Sequence, residues 1–185
     1  MEAVFNLTRP PFPWPGILQT STDPPGCPQT MPCKLPLSQI LCPKKVSEDC
    51  LFLNVFTPLT ATPTSKLPVM VFFHGGNFIK VLFSHLAYLY PFAPILPQGY
   101  SNALIYDGEY IANTTSTLVV TVNYRLGVLG FLVYGKNESG PRGNYGLRVS
   151  TDGNVVSLVL KSQSQFPGPA TGTGMGPKQH CKLWW

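Results

Sequence analysis

The residues best placed to do chemistry are His74, Gly75 and Gly76, which follow the run Pro68-Val69-Met70-Val71-Phe72-Phe73. Two consecutive glycines let a backbone turn tightly and leave its N–H groups uncovered. Uncovered amides at the C-terminal edge of a parallel sheet are where α/β proteins bind negative charge. His74 reads as a structural side chain at the strand end, packing or hydrogen-bonding, and not as a general base.

A strand must hold that turn. Val69–Phe73 is too short for a helix and rich in β-branched and aromatic residues. It reads as a strand buried on both faces, in the middle of a parallel sheet. Leu51–Phe56 is a second strand, closed by Thr57-Pro58. Thr117–Val122 is a third, running into Asn123-Tyr124-Arg125-Leu126-Gly127. Gly143-Asn144-Tyr145-Gly146-Leu147 is a turn signal of the kind that opens a helix, yet Arg148–Gln165 has no helical period. From Pro167 to Gly176 the chain is largely Gly, Pro, Thr and Ala, so residues 148–185 read as a disordered tail. Val81–Gln98 is apolar, aromatic and Pro-rich with neither the helical nor the strand period.

The whole chain is 185 residues, enough for one domain, and 44% apolar. Charged residues make up 11%, low against a usual ~25%. Twenty prolines and seventeen glycines cluster in the flanks and in residues 91–99. The net charge is +5, and the scattered cations Arg148, Lys161, Lys178 and Lys182 supply most of the excess. Nucleic-acid binding needs a clustered basic face, so that class is set aside. Met1–Pro15 lacks the basic and continuous apolar regions of a signal peptide. Val81–Pro97 carries His85 and three prolines and does not read as a membrane span. No cofactor or metal motif is present.

Cys27, Cys33, Cys42 and Cys50 fall within twenty-four residues. Zinc sites use C-x₂-C pairs or closely spaced histidines, and neither occurs here. A Pro-rich loop with four cysteines suits a disulfide-stapled segment in an oxidising compartment. Two bridges allow three connectivities, and the nested one, Cys33–Cys42 within Cys27–Cys50, is the expectation. Asn6, Asn113 and Asn137 each begin an N-glycosylation sequon. Glu48, Asp49 and Arg125 flank core strands, and a buried ion pair of Glu48 or Asp49 with Arg125 is the expectation. Asp107 reads as a turn residue.

Five motifs in order resemble one family, the type-B carboxylesterases, whose α/β-hydrolase fold includes cholinesterases and neuroligins. Ser47-Glu48-Asp49-Cys50-Leu51-Phe52-Leu53-Asn54-Val55 is similar to the family signature around the second cysteine of its first disulfide, and Cys27-Pro28-Gln29 to the first. Val71-Phe72-Phe73-His74-Gly75-Gly76 resembles the oxyanion-hole strand and loop. Tyr106-Asp107-Gly108 and the run from Val120 through Gly130-Phe131-Leu132 to Gly143–Leu147 follow in the family's order. The resemblance implies a serine hydrolase of carboxylic esters, secreted, with a small-molecule ester as substrate. Gly75 and Gly76 would supply two oxyanion donors. The nucleophile would sit in a G-x-S-x-G elbow, which these 185 residues do not contain. His180 is a poor match to the triad histidine, so no catalytic triad residue is assigned.

The expected architecture is therefore a partial α/β-hydrolase fold, the N-terminal part of the central sheet only. Residues 1–147 would form the family domain, interrupted by an insertion at 81–98, and 148–185 an unrelated tail. The insertion begins with Val81 and ends with Gln98, as a translated intron could, and Val149-Ser150 could encode a splice donor. An inactive hydrolase fragment is the first reading of function. A non-catalytic, neuroligin-like binding protein is the alternative.

Overall fold

The computed structural model describes residues 23–29, 43–62, 64–76, 78, 101, 106–135, 143–151 and 179–182. Cys33, Cys42, Asn6, Asn137 and the 81–98 segment lie outside the described residues.

Four strands form one mixed sheet in the order β2-β3-β1-β4. They are β1 (Phe52–Phe56), β2 (Val69–Phe73), β3 (Leu118–Val122) and β4 (Gln179–Lys182). β2 and β3 run parallel, with Val71 opposite Val120. β1 is antiparallel to β3, with Asn54 opposite Thr121. Three helices, α1 (Glu109–Thr115), α2 (Gly127–Phe131) and α3 (Tyr145–Thr151), complete the described elements.

β1 and β3 are buried because they carry side chains suited to two covered faces. Alternate residues go to opposite faces of a strand. On one face Leu53, Val55, Leu118, Val120 and Val122 pack with Leu51 and the Cys27–Cys50 disulfide. On the other, Phe56 and Val119 meet Ala112 of α1. Gly108, at the start of α1, lies so close to Val119 and Phe56 that a Cβ there would clash with both.

The disulfide closes the chain on itself across a sequence separation of 23 residues. Beside it Gly26 donates to the Lys45 carbonyl (3.0 Å), and Ser47 donates back to Gly26 (3.1 Å). Bridge and ladder together tie the loop to the entry of β1.

Three expectations need correction. β2 was expected to be buried on both faces in mid-sheet. Among the described residues it lies at the sheet edge, and each of its five residues is 37–46% exposed. Its composition fits burial against a neighbour that no described residue provides. Secondly, α3 forms where no helix was expected. It is held by contact and not by an apolar stripe. Gly146 lies so close to the Arg125 carbonyl and the Phe131 ring that any Cβ would clash. Thirdly, the tail is not wholly without order, since Gln179–Lys182 pairs antiparallel with β1. The open edge of β1 offers unpaired backbone groups, and four residues are too few to show a period.

Candidate functional site

The turn after β2 is fastened by Tyr124, which follows the end of β3. Tyr124 is buried, and its hydroxyl donates to the His74 carbonyl at 2.6 Å. The rings of Tyr124 and His74 stack, with centroids 4.3 Å apart and planes 15° off parallel. Phe73 and Phe78 pack at 6.5 and 6.2 Å from Tyr124, and Phe78 meets Phe131 edge-on at 5.0 Å. Gly127, the first residue of α2, donates to the Phe78 carbonyl. The turn is thus fastened both to β3 and to α2.

His74 is 2% exposed. Burial lowers its pKa to about 4, against a smaller upward pull from the Gly75 carbonyl. The ring is therefore neutral near pH 7. Its Nδ1 lies 2.9 Å from Gly75 O. A carbonyl only accepts, so Nδ1 carries the proton. Nε2 has no hydrogen-bond partner among the described residues. This supports the structural role expected for His74.

The two glycines differ. Gly76 has φ 128°, a conformation that L side chains rarely adopt. Gly75 is exposed, and a Cβ built there meets nothing within 4 Å. Neither steric pressure nor a positive φ from the described chain calls for glycine at Gly75. Tyr106 flanks the turn, its ring 4.8 Å from Phe72. Burial raises the Tyr106 pKa, and the Gly75 amide pulls it down. Burial and Tyr106 together push Tyr124 up to about 12, so its hydroxyl keeps its proton.

Between β1 and β3 lies a buried polar network that the sequence did not announce. Asn54 Nδ2 donates to Thr121 Oγ1 (2.8 Å) and to the Ser101 carbonyl (3.1 Å). Asn123 Oδ1 accepts from Ser101 N (2.7 Å), while its Nδ2 donates to the carbonyls of Cys50 (3.1 Å) and Pro25 (3.2 Å). The signal available was an Asn in each of two apolar strand motifs.

The other candidates fall in different places. Arg125 is buried, and burial lowers its pKa while the charge of Glu48 acts in the opposite sense. The Arg125 backbone is crowded as well, since Gly130 and Gly146 both press on its carbonyl. Asp107 Oδ1 accepts from Glu109 N at 3.0 Å, as a turn residue does. Asn113 lies on α1, where its Oδ1 accepts from Leu59 N at 2.9 Å. Among the described residues no three His, Cys, Asp or Glu side chains gather around a common point. No helix among them is long and apolar enough to cross a membrane.

The carboxylesterase family model matches residues 2–148. The chain belongs to the carboxylesterase family. It is 33% identical over 148 residues to a medium-chain fatty acyl-CoA hydrolase precursor of Anas platyrhynchos, a match covering 77% of this chain and 23% of that protein. It is 35% identical to liver carboxylesterase B-1 of Rattus norvegicus, again over 77% of this chain and 22% of the relative. Neuroligin-2 of Mus musculus is 32% identical over 176 residues, covering 77% and 18%. The carboxylesterase chain thus spans about a fifth of the length of these relatives.

Proposed function

We propose that this carboxylesterase chain carries half of an oxyanion hole, with the N–H groups of Gly75 and Gly76 as donors. The reaction they would serve is hydrolysis of a small-molecule carboxylic ester through an acyl-serine. In that reaction a serine attacks the ester carbonyl and its oxygen becomes an anion. Preorganised N–H donors stabilise that charge, and losing one typically costs ~10²–10³ in rate. The observation that carries the reading is that no described residue lies within 4 Å of a Cβ built on the exposed Gly75. Glycine without a steric or conformational need of its own suits a backbone that a ligand must approach closely.

No serine elbow occurs in these 185 residues. An oxyanion turn without a nucleophile has no covalent intermediate to stabilise. The polypeptide is thus read as a partial α/β-hydrolase sheet, residues 1–147, with an insertion at 81–98 and an unrelated tail at 148–185. The Cys27–Cys50 bridge supports an oxidising, secretory location, in which Asn6, Asn113 and Asn137 could carry glycans. The second reading, binding without catalysis, is supported by the match to neuroligin-2.

A fluorophosphonate probe tests the reading of this polypeptide as a partial hydrolase that is inactive by itself. The chain of 185 residues is expected to remain unlabelled while an intact serine esterase in the same tube is labelled. Stoichiometric labelling of one serine in this chain would refute it.

A further inference from the structure

We propose that Tyr124 and His74 are positioning residues that aim the Gly75 and Gly76 amides, each by holding the carbonyl of the same peptide unit. The inference rests on the oxyanion reading above. A trans peptide is planar, so its C=O and N–H point in opposite directions. No cis peptide bond occurs among the described residues. Fixing one oxygen therefore fixes the direction of the opposite N–H.

Two peptide units matter. The first joins His74 to Gly75. Its oxygen accepts from the Tyr124 hydroxyl at 2.6 Å, which turns the Gly75 N–H away from Tyr124. The second unit joins Gly75 to Gly76. Its oxygen lies 2.9 Å from His74 Nδ1, which turns the Gly76 N–H away from the imidazole. Tyr124 thus acts twice, directly on the first peptide and through the stacked His74 ring on the second. L side chains rarely adopt the Gly76 φ of 128°, and glycine itself restricts the torsions on either side of this peptide little. The His74 donor holds it.

Amide NMR on the full ¹⁵N-labelled chain tests this. Tyr124→Phe removes the hydroxyl and keeps the ring. The Gly75 amide resonance should shift, because its N–H is no longer aimed, while those of Val120 and Ala112 stay in place. His74→Phe keeps the stack without a donor, and the Gly76 amide should respond in the same way. His74→Asn places an N–H near the position of Nδ1 and should restore Gly76, which a merely space-filling role would not. Protection at Val120 and Ala112 reports that the sheet and α1 are intact. If His74→Phe loses that protection, Tyr124→Phe decides by the Gly75 amide alone. Unchanged Gly75 and Gly76 amides, or no rescue by asparagine, overturn the proposal. Methylphosphonate, a tetrahedral anion, should shift both amides of the unmodified chain. If it shifts neither while the variants behave as described, the oxyanion reading falls and the peptide-aiming role stands.

Discussion

β3 has two neighbours that differ in every respect except composition. Toward β1 the pair is sealed, with apolar side chains and a disulfide on one face and hydrogen-bonded Asn54, Thr121 and Ser101 on the other. Toward β2 every residue of the strand is part-exposed. Yet β2 and β3 read almost alike, Val-Met-Val-Phe-Phe against Leu-Val-Val-Thr-Val. Composition reports the environment that suits a strand. Topology decides whether the strand obtains it. The candidate oxyanion turn lies on the open side of β3.

The sharpest way to break this contrast is to damage the sealed side. Asn123→Leu should cost about 4 kcal/mol. It leaves Ser101 N without an acceptor, and the Cys50 and Pro25 carbonyls without a donor, in a buried place where each orphan costs ~1–3 kcal/mol. A urea melt followed by circular dichroism measures the loss. A change below about 1 kcal/mol would show that water replaces the asparagine at no cost. Next in size is the disulfide. Replacing Cys27 and Cys50 together by Ala should cost roughly 3 kcal/mol, from the entropy of the loop they close in the unfolded chain. The double variant and the parent can be compared in the same melt.

Much of the sealed side was legible beforehand. The runs Leu51–Phe56 and Thr117–Val122 hold the strands Phe52–Phe56 and Leu118–Val122, because apolar runs act locally, and the family resemblance of Cys27-Pro28-Gln29 and Ser47–Val55 pointed to the Cys27–Cys50 bridge. The polar network was not legible. It depends on Asn54 and Thr121 being register partners and on Ser101 returning to the sheet from 47 residues away. Nor was the role of Tyr124. A tyrosine after a strand has no period of its own, and its meaning lies in one hydroxyl reaching back 50 residues to His74. The exposure of β2 was misread for the reason given above. The helix α3 was misread because backbone contacts at Gly146 hold it where the side-chain pattern does not.

The open side answers to pH. His74 is neutral when folded, with its pKa lowered to about 4, and titrates near 6.5 when unfolded. Between those values the unfolded chain binds a proton that the folded chain refuses. Stability should therefore fall as pH drops from 6.5 to 4, by up to about 3 kcal/mol, and level off below. Denaturant melts at pH 7 and pH 4.5, run on the parent and on His74→Asn, isolate this contribution. An equal slope in both would assign the pH effect to other groups.

The smallest effect is also the most direct comparison. Val71 and Val120 are register partners on neighbouring strands, facing the same side of the sheet. Val120 is fully buried, whereas Val71 is 37% exposed. Val120→Ala removes two methyl groups from a packed cluster and should cost about 2 kcal/mol. Val71→Ala removes the same atoms from an edge already partly in water and should cost under about 1 kcal/mol. The chemistry of the two changes is identical, so the gap between them measures only how completely each strand is covered. Equal costs would mean that β2 is as well covered as β3 in solution, by some part of the protein or a second copy. In that case the front of Gly75 would have to be sought beneath that cover.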